Sequence, residues 1–378
     1  MHILFITHYS SLYGANRSLL LLLESLKENN FTPLVFVPDK GQLIDELKKR
    51  SIAYRKIKFW AWMGVSSKLF FIKAVMRFIL NLLTLPILLF YTKNFKPSVI
   101  YSNSSITPVG IYLSIILKIP HIWHIRELGK SDYNLDYDFG RKYFYYFMRK
   151  SKAIISISEY VKQNVFIGEW KNVSVVANGV YSDDDIKTLS IKTEKPDNQP
   201  FTFLIMSVIH PSKGIEDAIE ALKIIKQDFN NIKLVICGGV EDKQYRKYLN
   251  DLIIKLDLTE EVSFMGFVDK PIEMYKTADA VLVCSRREAW GRVAAEAMIS
   301  EVPVIGYNSG GTKEIIIDKY NGLLYNNIKE LSVCMKAVIL DKKLVEEIKY
   351  QAKKFALQNF SVKETSAKIL KIITEAAN

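Results

Sequence analysis

The feature that most constrains this chain is an alternation that runs twice. Short branched-apolar runs take turns with segments whose apolar residues recur at helical spacing. In the first half, strands are expected at 2–7, 33–37, 98–102, 121–125, 153–158 and 173–176, and helices at 17–27, 42–50 and 108–117. After a break the pattern restarts. Strands are expected at 201–207, 233–238, 262–265, 280–284 and 302–305. Helices are expected at 214–227, 243–256, 271–277 and 292–299, with a helix start at 313–317 and a closing helix at 360–377. Strands separated by helices build βαβ units and a mostly parallel sheet. The break, 182–200, is polar, carries two prolines and lacks apolar periodicity, so it reads as a linker. The expectation is an α/β chain of two doubly wound domains, 1–180 and 201–360, joined by a linker at 181–200. The helix at 361–378 is a candidate to cross back to the first domain. Ligands in such sheets bind outside the carboxyl ends of the strands.

Length and composition agree with two domains. The 378 residues exceed one ordinary domain, and 49% hydrophobic with 24% charged residues is a globular balance. Three cysteines cannot close a disulfide framework; Cys237 and Cys284 end apolar runs and read as buried hydrophobes suited to a reducing cytosol. The run from Ile3 to Ile6 lacks a basic region ahead of it and is too short for a signal peptide, so it reads as a first strand.

The formal charge of +12 points to a polyanionic partner. Residues 68–96 form an apolar stretch with Lys73 and Arg77 inside it and Lys93 and Lys96 after it. Its uncharged core, 78–91, is shorter than the ~20 residues a spanning helix needs, and Pro86 is expected to break it. An interfacial amphipathic helix fits better. The basic-aromatic run 141–150 points the same way. An anionic membrane surface is therefore the expected partner, against the plainer reading of core-facing helices with snorkelling lysines. Nucleic acid is not expected, because no recognised nucleic-acid motif is present.

The sharpest constellation is Glu288, Trp290, Gly291, Arg292 and Glu296, which begins where the strand at 280–284 ends and runs into a helix. Each carboxylate can grip a vicinal diol. The amides between them lie at a helix N-terminus, where orphan N–H groups and the dipole favour an anion. Downstream, Ser309, Gly310, Gly311, Thr312, Lys313 and Glu314 form a second strand–turn–helix nest suited to phosphate. Upstream, Lys213 and Gly214 sit at a strand-to-helix junction, where a lysine can point charge at a pyrophosphate.

In this order and spacing, the lysine-glycine turn, the glutamate–seven–glutamate motif and the Gly-Gly-x-x-Glu turn resemble glycosyltransferase family 4, the large retaining family of GT-B fold. Weaker features extend the resemblance over nearly the whole chain: Tyr13 to Asn16, His121 to Glu127, Ser156 to Ser158, and Val176 to Val180. The resemblance implies two Rossmann-like domains facing each other across a cleft, and a nucleotide-sugar donor. It implies that Glu288 binds the transferred sugar and Glu296 the ribose. Trp290, Gly291, Arg292 and Val293, with Lys213, would hold sugar and pyrophosphate. Gly266, Phe267 and Val268 would lie near the base. Gly14 and Ala15 would approach the phosphate from the first domain. His124 matches a histidine placed near the reacting sugar, with His121 as competitor. His124 and Glu288 are thus the candidate catalytic residues.

This sequence departs from the family at three places. Val208 stands where many members have arginine, Tyr181 where many have aspartate, and Glu301 where glycine is usual. Arg286, Arg287 or Arg292 could then supplement Lys213. The acidic run of Asp183, Asp184 and Asp185 falls in the linker and reads as a solvated loop, so no metal and no cofactor are expected. The reaction implied is retaining transfer of a UDP- or GDP-linked sugar to a glycan hydroxyl. The acceptor expected is a lipid-linked glycan at the cytosolic membrane face, in bacterial envelope polysaccharide synthesis. The competing readings are an epimerase or phosphorylase of the same fold and a non-catalytic nucleotide-binding scaffold. A dinucleotide dehydrogenase is a weaker reading still, since no Gly-x-Gly-x-x-Gly follows the first strand.

Overall fold

The computed structural model describes residues 1–130, 134–182, 186, 199–268 and 270–378. The acidic run of Asp183, Asp184 and Asp185, like most of the 181–200 segment, lies outside the described residues. The chain divides into two compact units. Unit 1 holds Met1–Gly179 and Val362–Asn378; unit 2 holds Val180–Ser361.

Unit 1 is built on a seven-stranded parallel sheet. Its strands are β1 (His2–Ile6), β2 (Thr32–Val37), β3 (Ala53–Lys56), β5 (Val99–Ser102), β6 (His121–Ile125), β8 (Ala153–Ser156) and β9 (Val173–Val175), in the order β3-β2-β1-β5-β6-β8-β9. A small antiparallel pair joins β4 (Met63–Val65) to β7 (Leu135–Tyr137). The central strands read as continuous apolar runs because both faces are covered. Ile3 and Phe5 pack with α1 (Gly14–Glu28), α2 (Gln42–Lys49) and the chain's last helix, α14 (Val362–Ala377), through Leu19, Leu23, Leu43, Ile369 and Ile373. Leu4 and Ile6 face the other way, onto α3 (Phe70–Phe95) and α4 (Val109–Leu117) through Leu88, Val109 and Leu113. The last helix is therefore part of the core of unit 1.

Unit 2 repeats the plan with six parallel strands: β10 (Phe201–Met206), β11 (Ile232–Cys237), β12 (Val262–Gly266), β13 (Ala280–Val283), β14 (Val304–Tyr307) and β15 (Leu323–Tyr325). Their order is β12-β11-β10-β13-β14-β15. In both sheets the order reverses beside the first strand, so each has a switch point: β1/β5 in unit 1 and β10/β13 in unit 2. Those are the places where a doubly wound sheet opens a crevice for a ligand. Cys237 and Cys284 are buried and unbridged, and burial pushes their thiols up to about 11 and about 12.

Several elements differ from expectation. Pro86 does not break the apolar stretch: α3 runs unbroken over 26 residues with Pro86 inside it. A proline there forfeits one intrahelical hydrogen bond, and its ring is exposed. β15 (Leu323–Tyr325) has no counterpart among the expected strands. The run 141–150 folds mainly as α5 (Gly140–Met148), with Phe144 and Met148 buried.

Candidate active site

The site in unit 2 grows from the switch point. After β10 the chain makes a single 3-10 turn, Pro211–Lys213, and enters α7 (Ile215–Ile225) through Gly214. Gly214 has φ +60°, and a Cβ there would sit 2.5 Å from the carbonyl oxygen of Cys284. That close approach brings the end of β10 against the end of β13. It also sets Lys213 beside the β13 loop: Nζ lies 3.0 Å from Glu288 Oε2. Burial of Glu288 pushes its pKa up, but Lys213 and hydrogen bonds from Ser285 and the Gly291 amide outweigh this and hold the carboxyl below its usual range.

Glu288 is followed by Gly291, whose left-handed φ of +101° caps α10 (Arg292–Ile299). Glu296 faces out of that helix one turn after Arg292. Its Oε1 accepts from Arg292 Nε at 2.6 Å and its Oε2 from the Tyr275 hydroxyl at 2.8 Å. The turn before α11 (Thr312–Ile315) closes over this loop: the Gly311 amide donates to Glu288 O at 2.7 Å, and a Cβ on Gly311 would meet Trp290 Cα at 2.5 Å. Trp290 itself is buried, edge-on to Phe360 at 5.3 Å. Its side chain belongs to the core, so only its backbone can serve a ligand. Val293 is half-buried beside Arg292 in the first turn of α10. The arrangement presents two cations, Lys213 and Arg292, each paired with a carboxylate, and a helix N-terminus, which suits a ligand carrying both an anionic group and vicinal hydroxyls.

Gly266 ends β12, the outer strand of this sheet, and Phe267 and Val268 follow it. The Gly266 carbonyl accepts from the Gly238 amide at 2.7 Å, and Phe267 is partly exposed. Of the supplementary arginines, Arg286 is pinned by Asp217 at 2.7 Å and Arg292 by Glu296. Two of the three departures also have local explanations. Tyr181 is buried and its hydroxyl donates to the carbonyls of Leu357 and Ala356, sealing the end of α13 (Lys342–Asn359). Glu301 adopts the left-handed φ of +55° that makes glycine the easier residue there, and its carboxylate pairs with Lys353 at 2.6 Å.

Unit 1 carries a second polar cluster, at the carboxyl ends of β1, β5 and β6. His124 is fully buried. Its Nδ1 lies 2.5 Å from the Tyr101 hydroxyl and 3.1 Å from Arg126 Nη2. A guanidinium only donates, so Nδ1 must hold the lone pair and the proton of the neutral ring sits on Nε2. Burial, and then the charge of Arg126, push the pKa well below its ordinary value, which keeps the ring neutral. Nε2 is buried without a hydrogen-bond partner among the described residues. An unsatisfied buried donor costs about 1–3 kcal/mol, a cost that a ligand oxygen would offset. His121 points to the opposite face. Both its nitrogens are taken, by Ser102 at 2.9 Å and Ser151 at 3.0 Å, leaving none for a ligand.

The structure ties Ala15 to His124. Asn103 Nδ2 donates to the Ala15 carbonyl at 3.3 Å, and its Oδ1 accepts from Arg126 Nε at 2.9 Å. Arg126 also donates to Asn178. Gly14, the first residue of α1, stands next to Ala15. Sequence reasoning did not single out Asn103, Arg126 or Asn178 as site residues. The available signal was that Asn103 and Arg126 directly follow two buried strands, β5 and β6. Among the described residues no group of three or more His, Cys, Asp or Glu side chains is placed to hold a metal ion.

The chain matches the sequence profile of glycosyl transferases group 1 over residues 186–355 and that of glycosyltransferase family 4 over residues 13–184. An uncharacterised glycosyltransferase of Methanocaldococcus jannaschii is 30% identical over 281 residues, which cover 71% of this chain and 72% of that protein. The capsular polysaccharide biosynthesis glycosyltransferase CapM of Staphylococcus aureus is 26% identical over 298 residues, 73% of this chain and 75% of that protein. Among solved structures, Anabaena HepE in complex with UDP and glucose superposes with a TM-score of 0.79 at 21% identity, covering 98% of this chain and 99% of that one. At that identity the likeness speaks for the fold: two Rossmann-like domains of GT-B type.

Proposed function

The chain belongs to the group 1 glycosyltransferases of family 4 and is a transferase of GT-B fold; from that premise we propose that it moves a sugar from a nucleoside-diphosphate donor to a glycan hydroxyl, with the anomeric configuration kept. The observation that carries this reading is the Lys213–Glu288 pair beside the N-terminus of α10 at the β10/β13 switch point. Lys213 and the first amides of α10 would receive the diphosphate. Glu288 would accept from hydroxyls of the sugar, and Glu296 from those of the ribose. Phe267 would lie against the base. The binding of UDP and glucose by Anabaena HepE supports a UDP-sugar as the first donor to test.

In the transfer, the bond from the anomeric carbon to the diphosphate oxygen breaks and one to the acceptor oxygen forms. The acceptor's proton passes to the departing phosphate. The anomeric carbon gains cationic character while negative charge grows on the diphosphate, as in glycoside chemistry generally. Lys213 and the helix amides would stabilise that negative charge without a divalent metal, because they are preorganised where it develops. His124 would donate its Nε2 hydrogen to a sugar hydroxyl as a neutral group. The role of CapM in capsule synthesis supports a glycan acceptor; we propose a lipid-linked one, met at the cytosolic membrane face in envelope polysaccharide assembly.

The test is transfer itself. The protein is incubated with a UDP- or GDP-sugar and a polyprenyl-linked glycan, and the product is read by NMR. An anomeric configuration matching the donor's is expected. An inverted product would overturn retention, and an epimerised donor without acceptor use would favour the epimerase reading.

A further inference from the structure

Residues 47–126 contain thirteen lysines and arginines and no aspartate or glutamate. Against the formal charge of +12, this stretch alone accounts for the basic excess of the chain. At its centre lies α3, whose apolar residues divide into two opposite stripes. Ala74, Asn81, Leu88 and Thr92 are buried. Ile72, Met76, Ile79, Leu83, Ile87 and Phe90 recur at steps of three and four and are 45–70% exposed, from 49% at Ile79 to 69% at Leu83. A continuous exposed stripe of this length is far more than the scattered single apolar residues of an ordinary surface. It is extended by α4, which packs against α3 and exposes Ile115 and Ile116. Lys68, Lys73, Lys93 and Lys96 are all exposed around it.

We propose that this face of unit 1 is a docking surface for an anionic lipid bilayer, with α3 lying flat in the interface. By length and composition α3 could cross a membrane. Its opposite stripe, however, is fastened to unit 1 along its length. Asn81 clasps the backbone of Trp60 in both directions, at 2.8 and 3.0 Å. Arg77 pairs with the buried Asp138. A spanning helix would have to break this clasp and strand Asp138, a buried charge, without its partner. A helix held on one side, apolar on the other and flanked by lysines has the form of an interfacial anchor. Charge decides between lipid and a second copy of this chain. A two-fold contact through the stripe would set lysine against lysine with no carboxylate on the helix to answer them, whereas anionic head groups neutralise them.

This inference stands apart from the donor site, so the two can fail separately. The full chain is sedimented with phosphatidylglycerol–phosphatidylcholine vesicles and with pure phosphatidylcholine vesicles, at low and high salt, beside Leu83→Glu and the double variant Ile79→Glu/Leu83→Glu. Both variants change exposed positions, and circular dichroism and nucleotide binding check that they fold. The proposal expects binding to anionic vesicles that weakens with salt, and a loss of at least about tenfold in the double variant. Three results would overturn it: variants that bind anionic vesicles like the parent, a chain that stays in the vesicles through alkaline carbonate, or a vesicle-free dimer that Leu83→Glu dissociates.

Discussion

At the residue scale, the account turns on Glu288. Lys213 and hydrogen bonds from Ser285 and the Gly291 amide hold its carboxyl below the usual range, so Glu288→Gln removes a charge that is present at neutral pH. The variant leaves Lys213 without its anionic partner and weakens the grip on a sugar hydroxyl. The expected result is a fall of about 10- to 100-fold in kcat/KM with the fold retained, the size of losing one charge-assisted hydrogen bond in a buried site. Steady-state transfer assays check it, and an unchanged kcat/KM would remove Glu288 from the site. Which residues meet was partly legible beforehand. Lys213 and Glu288 sit where a strand ends and a helix begins, with Glu296 one turn into the helix that follows, and turn chemistry marks such places in a sequence. The Arg126 network was not legible, because its partners lie 23 and 52 positions away, at Asn103 and Asn178. No local pattern reveals a hydrogen bond between the ends of different strands. The donor role of His124 Nε2 was equally hidden, since it depends on Arg126 donating to Nδ1.

At the element scale, the site depends on how tightly the loops after β10 and β13 approach. Gly214 permits that approach in two ways, through its left-handed backbone and through the absent Cβ. Gly214→Ala is expected to destabilise unit 2 by at least about 1–2 kcal/mol from the backbone alone, with the clash against Cys284 added. It should also weaken donor binding by shifting Lys213. The urea midpoint of unfolding and a donor titration measure the two effects; a variant as stable as the parent would show that the loops do not need this contact. Elements buried on both faces were easy to read, because runs such as Ile3 to Ile6 and Val281 to Val283 are uniformly apolar. Edge elements were not. β3 is Ala53, Tyr54, Arg55 and Lys56, half charged and mostly exposed, with no apolar run to announce it. Pro86 misled for a related reason: a proline ends a helix on average, but α3 is held from both sides of it by Asn81 and Leu88.

At the scale of the whole molecule, the two units are variations on one plan, each with a strand-order reversal beside its first strand. The chain passes from unit 1 to unit 2 once and returns for its last helix, so unit 1 completes its core only with residues from the far end of the sequence. The doubling was visible in the twofold alternation of strand and helix patterns. The return of α14 was only a candidate from sequence, because its apolar stripe names no partner. The central claim for the molecule is that unit 2 holds a nucleoside-diphosphate sugar at the β10/β13 switch point without a divalent metal. The most direct test is calorimetric titration of the full chain with UDP-, GDP-, ADP- and dTDP-sugars, with and without EDTA, beside Glu296→Ala. The account predicts that one nucleotide class binds, that EDTA leaves its affinity unchanged, and that the variant binds roughly 10- to 100-fold more weakly, as expected for losing charged hydrogen bonds to the ribose. Binding that EDTA abolishes would contradict the metal-free site, and binding of no nucleotide sugar at all would contradict the transferase assignment of this site.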